Sequence, residues 1–114
     1  MSNVYRQEIW WVDLDPPGEG IEIHKTRPAL IVSVDQINNG PAGLVIIIPL
    51  TSTRTGIPFH IQIAPPEGGL NITSYIKCDQ IRMISTKRLK GRLGKISGLT
   101  MSKVEEALRF LMDL

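Results

Sequence analysis

The sequence predicts a mainly β fold with one helix, a small barrel or sandwich of six or seven short strands completed by a C-terminal helix. Three observations predict it. Short runs rich in β-branched, aromatic or alternating apolar residues recur at close spacing. Turns bearing proline and glycine separate them. Only the last segment has the apolar period of a helix. The 114 residues are expected to form one domain over 1–114. With 42% hydrophobic and 21% charged residues, the composition argues against disorder.

Residues 9–14 (IWWVDL) are aromatic and β-branched and make the first expected strand. Trp10 and Trp11 then face opposite ways, one toward the core and one toward a surface or subunit interface. Two prolines and two glycines over 15–20 end the strand, because proline removes a ladder donor and glycine favours turns. The stretch from there to Thr26 is a long loop, of the kind that often carries function. Arg27-Pro28 opens a second strand over 29–34, since proline is tolerated at a strand's start. Asn38-Asn39-Gly40-Pro41 is a turn.

Residues 44–50 (LVIIIPL) are apolar on both faces, which predicts a central strand whose pairing Pro49 limits near its end. A polar loop over 51–56 leads to 59–63 (FHIQI), whose alternation is that of a half-buried strand. After a break at 65–69 come strands at 74–78 and 81–84, a helical turn at 86–89 and weak alternation at 92–96. The helix is expected over 101–112. Thr100 or Ser102 caps it, the latter with Glu105 in a capping box. Val104, Leu108 and Leu111 form one apolar stripe that docks on the sheet.

Several function classes drop out. Cys78 is the single cysteine, so an internal disulfide and the cysteine-rich zinc sites are excluded. His24 and His60 lie far apart with no ligand spacing around them, and neither a metal nor another cofactor is expected. The longest apolar run, 44–50, is far too short to span a bilayer, and no basic segment followed by an apolar core opens the chain. The expectation is a cytoplasmic protein with no membrane partner.

The net charge of +2 is unevenly spread. Residues 68–99 hold seven basic side chains against Asp79 alone, while 1–67 hold four basic and seven acidic ones. Such a stretch is either a solvated surface or a footprint for a polyanion or an acidic partner.

Four pieces then occur in order. IWWVDL is followed by a proline two residues on. Gly20-x-Glu22-x-x-Lys25-x-Arg27-Pro28 leads into an apolar strand. Pro49-Leu50-Thr51-Ser52-Thr53 ends the third strand. Lys77-Cys78-Asp79-Gln80-Ile81-Arg82 precedes Lys87-Arg88-Leu89. None is specific alone, but together, over about residues 8–112, the chain resembles the MazF/PemK (Kid) family of toxin endoribonucleases from toxin–antitoxin pairs. The resemblance implies a closed, SH3-like barrel with a C-terminal helix, of MazF/CcdB type. It also implies a homodimer, a MazE-like antitoxin with an acidic tail, and single-stranded RNA, mRNA in particular, as substrate.

The same resemblance gives candidate site residues their roles. By residue type, Arg27 can hold a phosphate bidentately or make an ordinary salt bridge, for instance to Glu22; it matches the family's catalytic arginine. Thr51 can bond a phosphate oxygen or merely satisfy a turn; the family places a catalytic threonine at this strand end, with Ser52 and Thr53 as helpers. If 77–80 is extended, Lys77 and Asp79 share a face, as an ion pair or as a cation beside a base. Some family members have a catalytic arginine and aspartate there, so Asp79 is the candidate base. Lys77 departs from that pattern, being a point charge rather than a fork. Gln80 can read a base edge. His24, Lys25 and Glu22 lie in the loop that covers the family's substrate groove and are expected to contact RNA. His60 is expected to be structural, and Cys78 a small buried hydrophobe.

The implied chemistry is metal-independent cleavage at a short sequence, with the substrate's own 2′-hydroxyl attacking phosphorus. Two rivals share the fold class: a CcdB-like toxin that poisons gyrase through its C-terminal helix, and a non-enzymatic SH3-like binding module.

Overall fold

The computed structural model describes residues 3–14 and 26–114, and the expected RNA contacts Glu22, His24 and Lys25 lie outside them. Among the described residues seven antiparallel strands follow in the order expected: β1 (Glu8–Asp13), β2 (Thr26–Ile31), β3 (Leu44–Thr51), β4 (His60–Ile63), β5 (Ser74–Lys77), β6 (Arg82–Ser85) and β7 (Leu89–Lys95). A one-turn helix, α1 (Asp35–Asn38), and a long helix, α2 (Gly98–Met112), complete the framework.

β3 is the central strand that its two-sided apolarity predicts. One edge pairs β2 through Ala29↔Pro49, Leu30↔Ile48 and Ile31↔Ile47. The other edge changes partner. Leu44 to Ile47 pair β6, whereas Leu50 and Thr51 pair β5. Ile48 and Pro49 fall in the gap between those two ladders, which is where the missing N–H of a proline costs least. β1 lies outside β2, β7 outside β1, and β4 outside β5.

The sheet does not close, which corrects the closed barrel implied above. No strand pairing joins β4 to β7 among the described residues. α2 lies against β4, and the 3-10 turn Glu67–Gly69 lies against β7. Both edges are thus covered by other elements rather than by each other.

The chain departs from its expected local structure in three places. The second strand stops at Ile31, because Asn38 draws the following segment into α1: its Nδ2–H donates to Ser33 O at 2.9 Å. The segment after Lys77 is not extended. Cys78–Gln80 is a 3-10 turn, so Lys77 ends β5 while Asp79 sits on the turn, and the shared-face argument for that pair fails. The long helix begins at Gly98, three residues before its expected start. Its cap is Ser97, whose Oγ accepts from Thr100 N–H at 3.1 Å. Thr100 is therefore capped rather than capping, and Ser102 is an exposed position inside the helix. Glu67 Oε2 accepts from Ser97 N–H at 3.0 Å and ties this helix start to the turn before β5.

Both faces of the central strands are buried. Ile9, Leu30, Ile48 and Ile76 pack toward Met101 and Val104 of α2. Trp10, Val12, Ala29, Ile31 and Ile47 form a second cluster on the opposite face. The helix stripe is Met101, Val104 and Ala107 with half-buried Leu108, while Leu111 stays exposed. Cys78 is the fully buried hydrophobe expected. Burial, with the charge of Asp79 added, pushes its thiol up to about 11.

One contact is too close for side chains. The turn Glu67–Gly69 crosses β7 so tightly that a Cβ on Gly94 would lie 2.6 Å from the backbone of Gly68 and Gly69. A Cβ on Gly69, whose φ is +74°, would lie 2.1 Å from Leu93 O. Gly94→Ala should cost about 1–3 kcal/mol, the usual range for overpacking, read as a lower urea midpoint; an unchanged midpoint would mean that the backbones separate freely. Native protein at pH 8 should resist alkylation by iodoacetamide, and urea-unfolded protein should take up one label, because only the thiolate reacts. Rapid labelling of the native state would contradict the buried, protonated thiol.

Candidate active site

β2 begins and β3 ends at the same end of the sheet, as antiparallel neighbours must. The register Ala29↔Pro49, carried two residues further, sets Arg27 opposite Thr51. Both residues line one pocket of about 190 Å³, together with Pro28, Leu50, Ser52 and Trp11. Gly69, Asn71 and Ile72 from the segment before β5, and Leu93 from β7, form its other wall. The close backbone crossing at Gly94 is what brings that wall in.

Each side chain is presented for a local reason. Pro28 follows Arg27 and fixes an extended entry to the strand. Arg27 is exposed, and its guanidinium has no partner among the described residues. Thr51 is half-buried, and its Oγ1 accepts from Thr53 N–H at 3.2 Å. That bond uses an acceptor site of the hydroxyl and leaves its proton for an oxygen in the pocket. The turn role and the anion-binding role of Thr51 are therefore compatible. Ser52 and Thr53 are exposed, and only Ser52 reaches the pocket lining. Trp11 is 39% exposed and stands beside Arg27 and Thr51, while Trp10 is buried. The alternation of the two tryptophans was legible in the sequence; that the outward one borders this pocket was not.

The other expected site residues form a separate group. His60 begins β4 opposite Lys77, the last residue of β5. The turn after Lys77 places Asp79 Oδ1 2.6 Å from His60 Nε2. On the other side of the ring, Nδ1 lies 2.8 Å from Thr55 Oγ1. Lys77 is half-buried, and Gln80 is exposed on the turn. Neither they nor Asp79 line the Arg27–Thr51 pocket. The two groups are nonetheless neighbours in the fold: Thr51 pairs Tyr75 on β5, the strand that ends at Lys77, and residues 52–59 link Thr51 to His60. Local spacing contains no sign of the His60–Asp79 contact, because a strand pairing creates it.

The basic stretch is elsewhere again. Lys87, Lys90 and Arg92 border a larger cavity of about 560 Å³ with Trp10, Asn38 and Asn39. Arg92 is committed there, since its Nε–H donates to Glu8 Oε2 at 2.5 Å and the same carboxylate accepts from Trp10 Nε1–H at 3.0 Å. Among the described residues no group of three or more His, Cys, Asp or Glu is placed to hold a metal ion.

Comparison with known proteins identifies the family of the chain. A family model described as PemK-like, MazF-like toxin of type II toxin–antitoxin system matches residues 5–112. The chain is 35% identical to Endoribonuclease MazF9 of Mycobacterium tuberculosis over 114 residues, covering 96% of each protein. It is 30% identical to Endoribonuclease EndoA of Bacillus subtilis over 112 residues, covering 97% of this chain and 96% of the relative. Among solved structures, a mycobacterial endoribonuclease in complex with its cognate antitoxin superposes with a TM-score of 0.77 at 28% identity, covering 97% and 96% of the two chains. A MazE–MazF complex from Deinococcus radiodurans shares the fold, with a TM-score of 0.85 at 23% identity over 100% and 99%. The chain belongs to the PemK-like, MazF-like toxin family of type II toxin–antitoxin systems.

Proposed function

We propose that this toxin is an endoribonuclease that cuts single-stranded RNA, principally mRNA, at a short sequence and so halts translation. The observation that carries this reading is the shared pocket of Arg27 and Thr51. In the proposed reaction the 2′-hydroxyl next to the scissile phosphate attacks phosphorus. The O2′–P bond forms, the P–O5′ bond breaks, and the leaving oxygen takes up a proton from water. The products are a 2′,3′-cyclic phosphate, which can open to a 3′-phosphate, and a 5′-hydroxyl. Because the nucleophile belongs to the substrate and is already close, the reaction needs no metal to generate one. The same requirement restricts the enzyme to RNA.

Arg27 stabilises the charge that grows on the phosphoryl oxygens, with donors held in place before the reaction begins. A guanidinium is a poor proton donor in general, so its role is electrostatic. Thr51 gives its hydroxyl proton to a phosphate oxygen and positions the phosphodiester. Asp79 stands outside that pocket, on the turn after β5, and in this reading accepts the 2′-hydroxyl proton of a ribose that extends from the pocket toward that turn, with Lys77 adding positive potential nearby. Unpaired bases splayed across the surface are read by side chains. Ser52, Thr53 and Gln80, and Glu22, His24 and Lys25 of the preceding loop, are the proposed RNA contacts. Trp11 offers a ring face on which a base can stack.

The partners follow from the family. A homodimer and a MazE-like antitoxin are proposed, the latter laying an acidic, partly disordered tail over the RNA surface and folding as it binds. The relative solved with its cognate antitoxin supports this. The proposed site of action is the cytoplasm, where mRNA is translated; no helix among the described residues is long and apolar enough to cross a membrane. The gyrase-poisoning and binding-module readings are not favoured, since the relatives are named endoribonucleases.

Purified protein should cut single-stranded RNA in EDTA and leave 5′-hydroxyl ends. Arg27→Ala and Thr51→Val should each lower kcat by about 10²–10³, the usual cost of losing one transition-state donor, with the circular dichroism spectrum unchanged. Near-wild-type cleavage by folded Arg27→Ala would remove the central role given to that residue. Replacing the scissile 2′-hydroxyl by hydrogen should abolish cleavage, and persistent cutting there would exclude the internal nucleophile.

A further inference from the structure

The loop between β3 and β4 returns to the sheet at His60, and both nitrogens of that imidazole are occupied. Nδ1 lies 2.8 Å from Thr55 Oγ1, and Nε2 lies 2.6 Å from Asp79 Oδ1. An ionised carboxylate only accepts, so Nε2 carries a proton and gives it to Asp79. On the far side of the ring Thr55 Oγ1 also accepts from Ile57 N–H at 3.3 Å, which ties the threonine to its own loop.

Exposure separates the two members of the pair. The His60 side chain is 5% exposed and the Asp79 side chain 32%. In a hydrolytic triad the carboxylate is buried and orients an imidazole that does the proton transfer. Here the order is reversed. The imidazole is enclosed and has no free nitrogen, so it cannot reach an RNA hydroxyl. Asp79 is the open member, and its Oδ2 has no hydrogen-bond partner among the described residues. A carboxylate on a short turn after β5 would otherwise rotate freely.

We propose that His60 is a positioning residue for Asp79: by holding Oδ1 it leaves Oδ2 turned outward to accept the proton of the substrate's 2′-hydroxyl. Thr55 completes the device by holding the ring from its far side. The proposal rests on the reading of Asp79 as the base, and it gives the structural-looking histidine of β4 a part in turnover.

The test is steady-state cleavage of a single-stranded RNA by four variants, with kcat and KM measured separately. Asp79→Asn should lower kcat by about 10² or more, the range for losing a general base. His60→Leu, which keeps bulk but offers no donor, should lower kcat at least tenfold and leave KM within about twofold. His60→Gln, whose amide N–H can replace the Nε2–H donor, should recover most of the loss. The pair His60→Leu/Asp79→Asn should be no slower than Asp79→Asn alone, because His60 acts only through that carboxylate. Losses that multiply in the pair, or wild-type kcat in His60→Leu, would overturn the proposal while leaving Asp79 as base. Wild-type kcat in Asp79→Asn would instead overturn the base assignment beneath it. If His60→Leu does not fold, the exposed Thr55→Val carries the same test: a lowered kcat that vanishes as an effect in the Asp79→Asn background supports the proposal, and an independent loss overturns it.

Discussion

The partner change along one edge of β3 is the constraint on which the site depends. Leu44 to Ile47 bond β6, Leu50 and Thr51 bond β5, and Ile48-Pro49 spans the gap. The opposite edge pairs β2 in one register over Ala29 to Ile31. Because both faces of the strand are buried, a slip of one residue would exchange Ile47 and Ile48 between their two cores and disturb the packing of each. The packing that stabilises the sheet therefore also sets which residue stands opposite which at its end, and that residue pair is Arg27 and Thr51. β5, recruited to the last two residues of β3, carries Lys77 and the turn with Asp79 to the adjoining region of the surface.

Charge is distributed according to task. Arg27 stands exposed and unpaired among the described residues, ready for an anion. Arg92 is spent on Glu8, which also holds the buried indole of Trp10, so that cation serves the fold. The cluster of basic residues in the second half of the chain is thus not one electrostatic surface. Part of it lines a cavity remote in lining from the Arg27–Thr51 pocket, and part of it is structural. Asp79 has the opposite character: its carboxylate is held at one oxygen and open at the other.

Most of the framework was legible because its signals are local. The two-sided apolarity of 44–50 marked a central strand, the alternation of 59–63 a half-buried one, and the period at the end of the chain a helix. Where physics is non-local, the sequence was silent. Ser97 caps α2 from in front of Gly98-Leu99, a pair with no helical signature. The 3-10 turn at Cys78–Gln80 has no period to read, so the pattern of residues does not reveal the orientation of Asp79. The contact of His60 with Asp79 is made by strand pairing across β4 and β5, which no spacing rule contains. Sheet closure was likewise a matter of edges, settled here by α2 and a turn. The candidate pair Arg27 and Thr51 was legible only through the family resemblance, since an arginine before a proline and a threonine at a strand end are common.

The central claim is that one phosphodiester sits between Arg27 and Thr51. The most direct test is a crystal structure of the toxin with a single-stranded RNA whose scissile 2′-hydroxyl is replaced by hydrogen, so that it binds and is not cut. The account predicts the guanidinium of Arg27 and the hydroxyl of Thr51 within hydrogen-bonding distance of the same phosphate. RNA seated in the cavity of Lys87, Lys90 and Arg92, with no phosphate at the Arg27–Thr51 pocket, would contradict it.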